Sequence, residues 1–113
     1  MIEILKASAG SGKTWNLARY YIRLMLEKDD PFSYRHILAV TFTEKATDEM
    51  KDRILKELHK LSVEPRNSDY FSDFVPSLYP DAASLAKASG TLLCNMLHDY
   101  SAFAVSTIDR FFQ

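Results

Sequence analysis

The sequence predicts an α/β fold in which helices flank a parallel sheet, and three observations predict it. An apolar segment at Ile2, Ile4 and Leu5 runs directly into the small-residue loop Ala7-Ser8-Ala9-Gly10-Ser11-Gly12 and then Lys13-Thr14. An amphipathic stretch leads from there to His36-Ile37-Leu38-Ala39-Val40-Thr41-Phe42, which is nearly continuously apolar, as a strand covered on both faces of a parallel sheet must be. A third apolar run, Phe103-Ala104-Val105-Ser106, follows another helical pattern. Strands and helices alternating in this way imply right-handed β-α-β units, whose functional edge lies at the carboxyl ends of the strands.

The loop after the first strand has the spacing of a phosphate-binding loop. A Gly-Lys-Thr that opens a helix aims successive backbone N–H groups, and the positive end of the helix dipole, at one point. Gly10 and Gly12 let the backbone take positive φ and approach phosphate oxygens without an intervening Cβ. The first position of the usual pattern is Gly and here is Ala7, the next smallest residue. The competing reading is a Gly/Ser-rich turn before an ordinary helix, and the flanking strand and helix favour the phosphate loop. Residues 7–14 are therefore read as an ATP site. Lys13 is the residue that reaches the β- and γ-phosphates, and the Thr14 hydroxyl is the Mg²⁺ ligand.

From Lys13 to about Lys28, the residues Leu17, Tyr20, Tyr21, Leu24 and Met25 recur at helical spacing and form the stripe expected to face the sheet. Arg19, Arg23 and Lys28 read as the solvated side. Trp15, in the first turn, belongs either to the core or against a nucleotide base, with the core preferred. Asp29-Asp30-Pro31 stops the helix. After the second strand, Glu44 to about Leu61 places Ala46, Met50, Ile54, Leu58 and Leu61 on one stripe, with Thr43 as the N-cap. The stretch 62–80 carries Pro65, Pro76 and Pro80 with Asn67, Ser68 and Asp69, and reads as a loop or insertion. Its aromatics Tyr70, Phe71, Phe74 and Tyr79 are too many for a flexible linker, so part of it is expected to pack back on the body. Asp81 to about Asp99 reads as a third long helix burying Leu85, Leu92, Leu93, Met96 and Leu97, with Gly90 arguing against it.

Composition bounds the reading without deciding it. The 113 residues are one domain or part of one, and 14 Lys plus Arg against 15 Asp plus Glu give no overall positive field, so any nucleic-acid contact has to be local. The single cysteine, Cys94, cannot form an internal disulfide, and no apolar run is long enough for a membrane span or a secretory signal; the expectation is a cytoplasmic protein with no membrane partner.

Three segments taken together go beyond a generic phosphate loop: ASAGSGKT at 7–14, AVTFTEKATDEMKDRI at 39–54 and AFAVSTIDRFF at 102–112. In this order, each at a predicted strand end, they resemble the first helicase motifs of the UvrD/Rep superfamily (superfamily 1A), most closely its RecB-like and AddA-like branch of helicase-nucleases. The resemblance covers most of the chain outside the proline-rich stretch, and the second segment is its most specific part. It implies a P-loop NTPase (RecA-like) sheet, incomplete here, with residues 1–113 as the N-terminal part of the first ATP-binding motor domain and 62–80 as a loop or insertion within it. The chain begins at Met1 and the sequence ends at Gln113 in mid-element, which reads as an N-terminal piece. The implied activity is ATP-dependent translocation on single-stranded DNA or DNA ends, in recombination or double-strand-break repair. The implied partners are the remainder of the helicase chain and, as a further option, a nuclease or helicase subunit.

Carried over residue by residue, the resemblance puts Thr41, Phe42 and Thr43 along the DNA, with Phe42 against a base and the hydroxyls near phosphates. Lys45 falls near the backbone phosphates, and Thr107 of the third segment is a further DNA contact. Two positions depart from the family pattern. Glu44 stands where Asn or a similar polar residue is usual, and Asp109 stands in the place of a His, where a carboxylate repels the strand. Asp48-Glu49 falls on the charged side of a helix and not after an apolar strand, so it is not the water-activating pair. Two other readings stay open: a small P-loop phosphotransferase with Asp109 as the Mg²⁺ carboxylate, and a stand-alone nucleotide-binding module. The first leaves the second segment unexplained.

Overall fold

The computed structural model describes residues 3–6, 11–28 and 30–107, with 3–6, 11–14, 104, 106 and 107 described by their backbone. Strand β1 (Glu3–Lys6) precedes helix α1 (Ser11–Glu27), and a 3₁₀ turn at Ser33–His36 leads into β2 (Ile37–Thr41). Helix α2 (Glu44–Val63) follows, then a 3₁₀ turn at Pro65–Asn67, the short α3 (Phe71–Phe74), α4 (Ala82–His98) and β3 (Ala104–Thr107). The three strands pair in parallel in the order β1-β2-β3, so β2 lies in the middle. Lys6 pairs with Val40 and Thr41 with Thr107, so the three strands finish at one edge.

The sheet and helices share one core. Ile37 and Ala39 of β2 and Val105 of β3 join Tyr21, Ile22 and Met25 of α1 and Ile54, Leu58 and Leu61 of α2. α2 packs against both α1 and α4, and α4 lies over α2 through Leu85, Ser89, Leu92 and Met96. Their spacings of three and four residues make the buried stripe of a helix docked on one neighbour.

Two apolar residues expected in the core lie outside it. Tyr20 is 48 % exposed and Leu97 is 57 % exposed. Each sits roughly 100° around its helix from a fully buried neighbour, Tyr21 or Met96. The buried face of α1 is centred on Ala18, Ile22 and Met25, since α2 and the aromatics of 70–79 cover the side that the sheet does not. His36 falls in the 3₁₀ turn and is exposed, and β2 is shorter at both ends than its apolar run.

Residues 62–80 are built into the body. α2 runs to Val63, two turns beyond form short helices, and Tyr70 and Phe74 are fully buried while Phe71, Val75, Leu78 and Tyr79 pack against the core. The Tyr79 phenol donates to the carbonyl of Leu26 at 3.0 Å, closing the segment onto α1.

Capping follows the sequence. The Asp81 carboxylate accepts from the Ser84 N–H at 2.8 Å and begins α4, and this bond holds its carboxyl below the usual range. At the opposite end of α4, Arg35 binds Asp99 through Nε at 2.8 Å and Nη2 at 2.6 Å, and Tyr34 donates to the same carboxylate at 3.1 Å. This clasp joins the turn that starts β2 to the segment that starts β3. It lies at the strand end remote from the motifs.

Candidate functional site

The site is the edge where β1, β2 and β3 all end. β1 stops at Lys6 and the 17-residue helix α1 starts at Ser11, so four residues connect the strand to the helix. Ser11, Gly12, Lys13 and Thr14 form the first turn of that 17-residue helix. A helix N-terminus of this kind concentrates N–H donors and positive dipole, so the main chain suits a phosphate and the Lys13-Thr14 residue types suit Mg-ATP. Ala7, Ser8, Ala9 and Gly10 lie outside the described residues, as do Asp109, Phe111 and Phe112.

One strand over, β2 ends in a tightly bonded corner. The Thr43 hydroxyl accepts from the Ala46 N–H at 3.0 Å, capping α2 from extended backbone. The Thr43 carbonyl accepts from the Thr47 N–H at 3.0 Å and from the Thr47 hydroxyl at 3.1 Å. The Thr41 and Thr47 hydroxyls lie 2.6 Å apart, and Thr41 Oγ1 is also 3.3 Å from the Thr43 carbonyl. Thr41, Thr43 and Thr47 thus lock the two residues flanking Phe42.

Phe42 itself projects, 55 % exposed, at the point where a core aromatic is the ordinary expectation. Lys45 is exposed on the first turn of α2, beside the corner. Thr107 pairs with Thr41 in the ladder and so closes the same edge from β3.

Thr41 needs a correction. Its side chain is 1 % exposed, with the hydroxyl turned inward to Thr47, and it does not line a surface groove. A polar side chain at the end of a buried strand satisfies itself internally when a partner is in reach, and Thr47 supplies one. Thr47, with no site role in the sequence reading, is the missed member of the corner. The signal is present in the sequence: a Thr four residues after an N-cap can back-bond to that cap's carbonyl.

Trp15 packs at the core boundary. Its indole meets the Tyr70 ring edge-on, with centroids 4.9 Å apart and planes at 66°. Asp48 and Glu49 are both exposed on α2. No helix among the described residues is long and apolar enough to cross a membrane.

Comparison with known proteins gives the family of the chain. The family model described as UvrD/REP helicase N-terminal domain matches residues 3–112. The chain belongs to the UvrD/REP helicase N-terminal domain family. Within that family its relatives include an ATP-dependent helicase/nuclease subunit of Natranaerobius thermophilus, 45 % identical over 65 residues, covering 57 % of this chain and 5 % of the relative. RecBCD enzyme subunit RecB of Haemophilus influenzae is 38 % identical over 77 residues, 60 % of this chain and 6 % of the relative. RecB of Buchnera aphidicola is 37 % identical over 87 residues, 68 % and 7 % respectively. This UvrD/REP-family chain therefore spans only a small part of the length of these relatives. No solved structure matches it.

Proposed function

We propose that this chain is the N-terminal, ATP-binding part of the first motor domain of a DNA helicase in the RecB/AddA branch, acting in recombination or double-strand-break repair. The observation that carries the proposal is the shared strand edge: in a UvrD/REP-family chain, the first turn of α1, Phe42 and Thr107 all lie where the strands end together. On this reading the sheet is the beginning of a RecA-like P-loop fold and residues 62–80 are an element of that same domain. Residues 7–14 hold ATP, with Lys13 against the β- and γ-phosphates and Thr14 on Mg²⁺, and the metal neutralises developing phosphoryl charge.

The DNA side is formed by Phe42, Lys45 and Thr107, with Thr43 presenting the Phe42 ring and Thr41 fixing the corner from inside. A projecting aromatic stacks on any base, so it grips a strand without reading sequence, as a translocating motor requires. Lys45 adds charge toward the phosphates, at the positive end of α2. The partners that follow are single-stranded DNA or DNA ends, the rest of the helicase chain, and a nuclease or helicase subunit of the kind that the relatives' names describe; the cytoplasm is the compartment. The family match accounts for residues 39–54, which the phosphotransferase reading leaves idle.

Nucleotide binding tests the proposal directly. In the longer helicase chain, Lys13→Ala removes Mg-ATP binding and leaves far-ultraviolet circular dichroism and single-strand affinity intact. Undiminished ATP binding by the variant overturns the assignment of the loop.

A further inference from the structure

Three contacts from the 62–80 segment land on the N-terminal half of α1, at Trp15 and Arg19. The phenol of Tyr70, which is fully buried, donates to the Trp15 carbonyl at 2.8 Å. The Tyr70 ring stands edge-on to the Trp15 indole, and Asp73 lies 3.7 Å from Arg19. Trp15 follows Thr14 directly, so the bonded carbonyl is one residue from the proposed phosphate-binding pair.

A phenylalanine would supply the ring packing alone. The hydroxyl is buried at a cost that partners offset; it donates to a main-chain carbonyl of α1, and the Arg53 side chain also interacts with it. Burial, reinforced by the nearby Glu57 carboxylate, pushes the Tyr70 phenol up, so it remains a donor at physiological pH. Its own backbone is fixed from the other side. The Tyr70 N–H donates to Ser68 Oγ at 3.1 Å, and Phe74 packs against its ring at 6.2 Å between centroids.

We infer that Tyr70 is a positioning residue for the start of α1, holding through the Trp15 carbonyl the helix that opens with Lys13 and Thr14, and that nucleotide binding further rigidifies residues 68–75 through the same contact. The inference rests on the proposed nucleotide site. A contact that fixes the start of α1 for ATP must, by linkage, be tightened when ATP fixes that start.

The test uses the full-length helicase chain with a non-hydrolysable ATP analogue and Mg²⁺, followed by hydrogen exchange resolved to peptides. Analogue binding slows exchange across residues 68–75 in the wild type. Tyr70→Phe keeps the ring, abolishes that slowing and raises the KM for ATP about fivefold with kcat within about twofold, the scale of one neutral hydrogen bond. Bound analogue with unchanged exchange at 68–75, or a Tyr70→Phe enzyme with wild-type KM, overturns the inference and leaves the nucleotide site standing. Failure of the wild type to bind the analogue at all removes the nucleotide site and the inference with it. The wild-type exchange arm needs no variant and so does not depend on how Tyr70→Phe folds.

Discussion

Truncating Phe42 separates the two explanations for an aromatic at a strand end. The ring is 55 % exposed, and the residues on either side are held by bonds that do not involve it: Thr43 to Ala46 and Thr47, and Thr41 to Thr47. Removing a buried Phe typically costs about 3–5 kcal/mol through lost transfer energy and a cavity. Here less than half of that surface is out of water and no enclosed cavity is left, so Phe42→Ala is expected to cost under about 1 kcal/mol of stability. Loss of base stacking is typically about 1–3 kcal/mol, which corresponds to a roughly 5- to 150-fold weaker single-strand affinity. Fluorescence anisotropy of labelled oligothymidylate with the longer chain proposed above measures the affinity, and thermal melting measures the stability. A variant that melts many degrees lower while binding DNA normally would show that the ring is structural.

Thr47→Val removes the hydroxyl bonded to Thr41 and to the Thr43 carbonyl; it is expected to lower stability by about 1–3 kcal/mol and to weaken DNA binding without touching DNA, checked by denaturant midpoints beside anisotropy. Gly90 lies inside α4, where an added Cβ meets Ser62 Cβ at an ordinary 3.5 Å, so Gly90→Ala should stabilise by roughly 0.5–1 kcal/mol, and a lower melting temperature would contradict the helix packing. Glu57 has a side chain only 3 % exposed, with Oε2 lacking a hydrogen bond among the described residues and Lys60 Nζ at 4.0 Å. Burial raises its carboxyl above the ordinary 4.5, Asp69 adding to the rise while Lys60 and Arg53 oppose it. A raised folded value means that its stabilising contribution is complete below about 4.5 and lost as pH climbs through the folded value. Glu57→Gln should therefore melt higher than wild type at pH 7 and flatten the decline across the mildly acidic range; an unchanged pH profile would show that the carboxylate is not the cause.

The elements are legible where one physical demand dominates. β2 declares itself because a strand sandwiched on both faces has few polar residues, and α2 because Met50, Ile54, Leu58 and Leu61 keep strict spacing and Thr43 offers a cap. Tyr20 and Leu97 mislead because periodicity gives a stripe and not its centre, which depends on every neighbour that covers the helix. The 62–80 segment shows its aromatics but not their targets. Tyr70 on Trp15 and Tyr79 on Leu26 are contacts between residues more than fifty positions apart, and no local pattern encodes them.

At the site, residue types are legible and their orientation is not. Thr41 and Thr43 look alike in Thr-Phe-Thr, yet the first turns inward to Thr47 while the second, already past the strand, caps α2. Which of the two hydroxyls is spent inside the fold is decided by the helix that follows.

The central claim is that one strand edge binds nucleotide at the α1 terminus and single-stranded DNA at Phe42. Steady-state ATP turnover by the full-length chain, measured with and without oligothymidylate, tests it most directly. The account predicts turnover that rises with single-stranded DNA, is abolished by Lys13→Ala and needs more oligothymidylate for half-stimulation in Phe42→Ala, while the 113-residue chain alone turns over no ATP. Turnover indifferent to DNA, or steady Lys13-dependent turnover by the 113-residue chain itself, would contradict it and favour a small phosphotransferase.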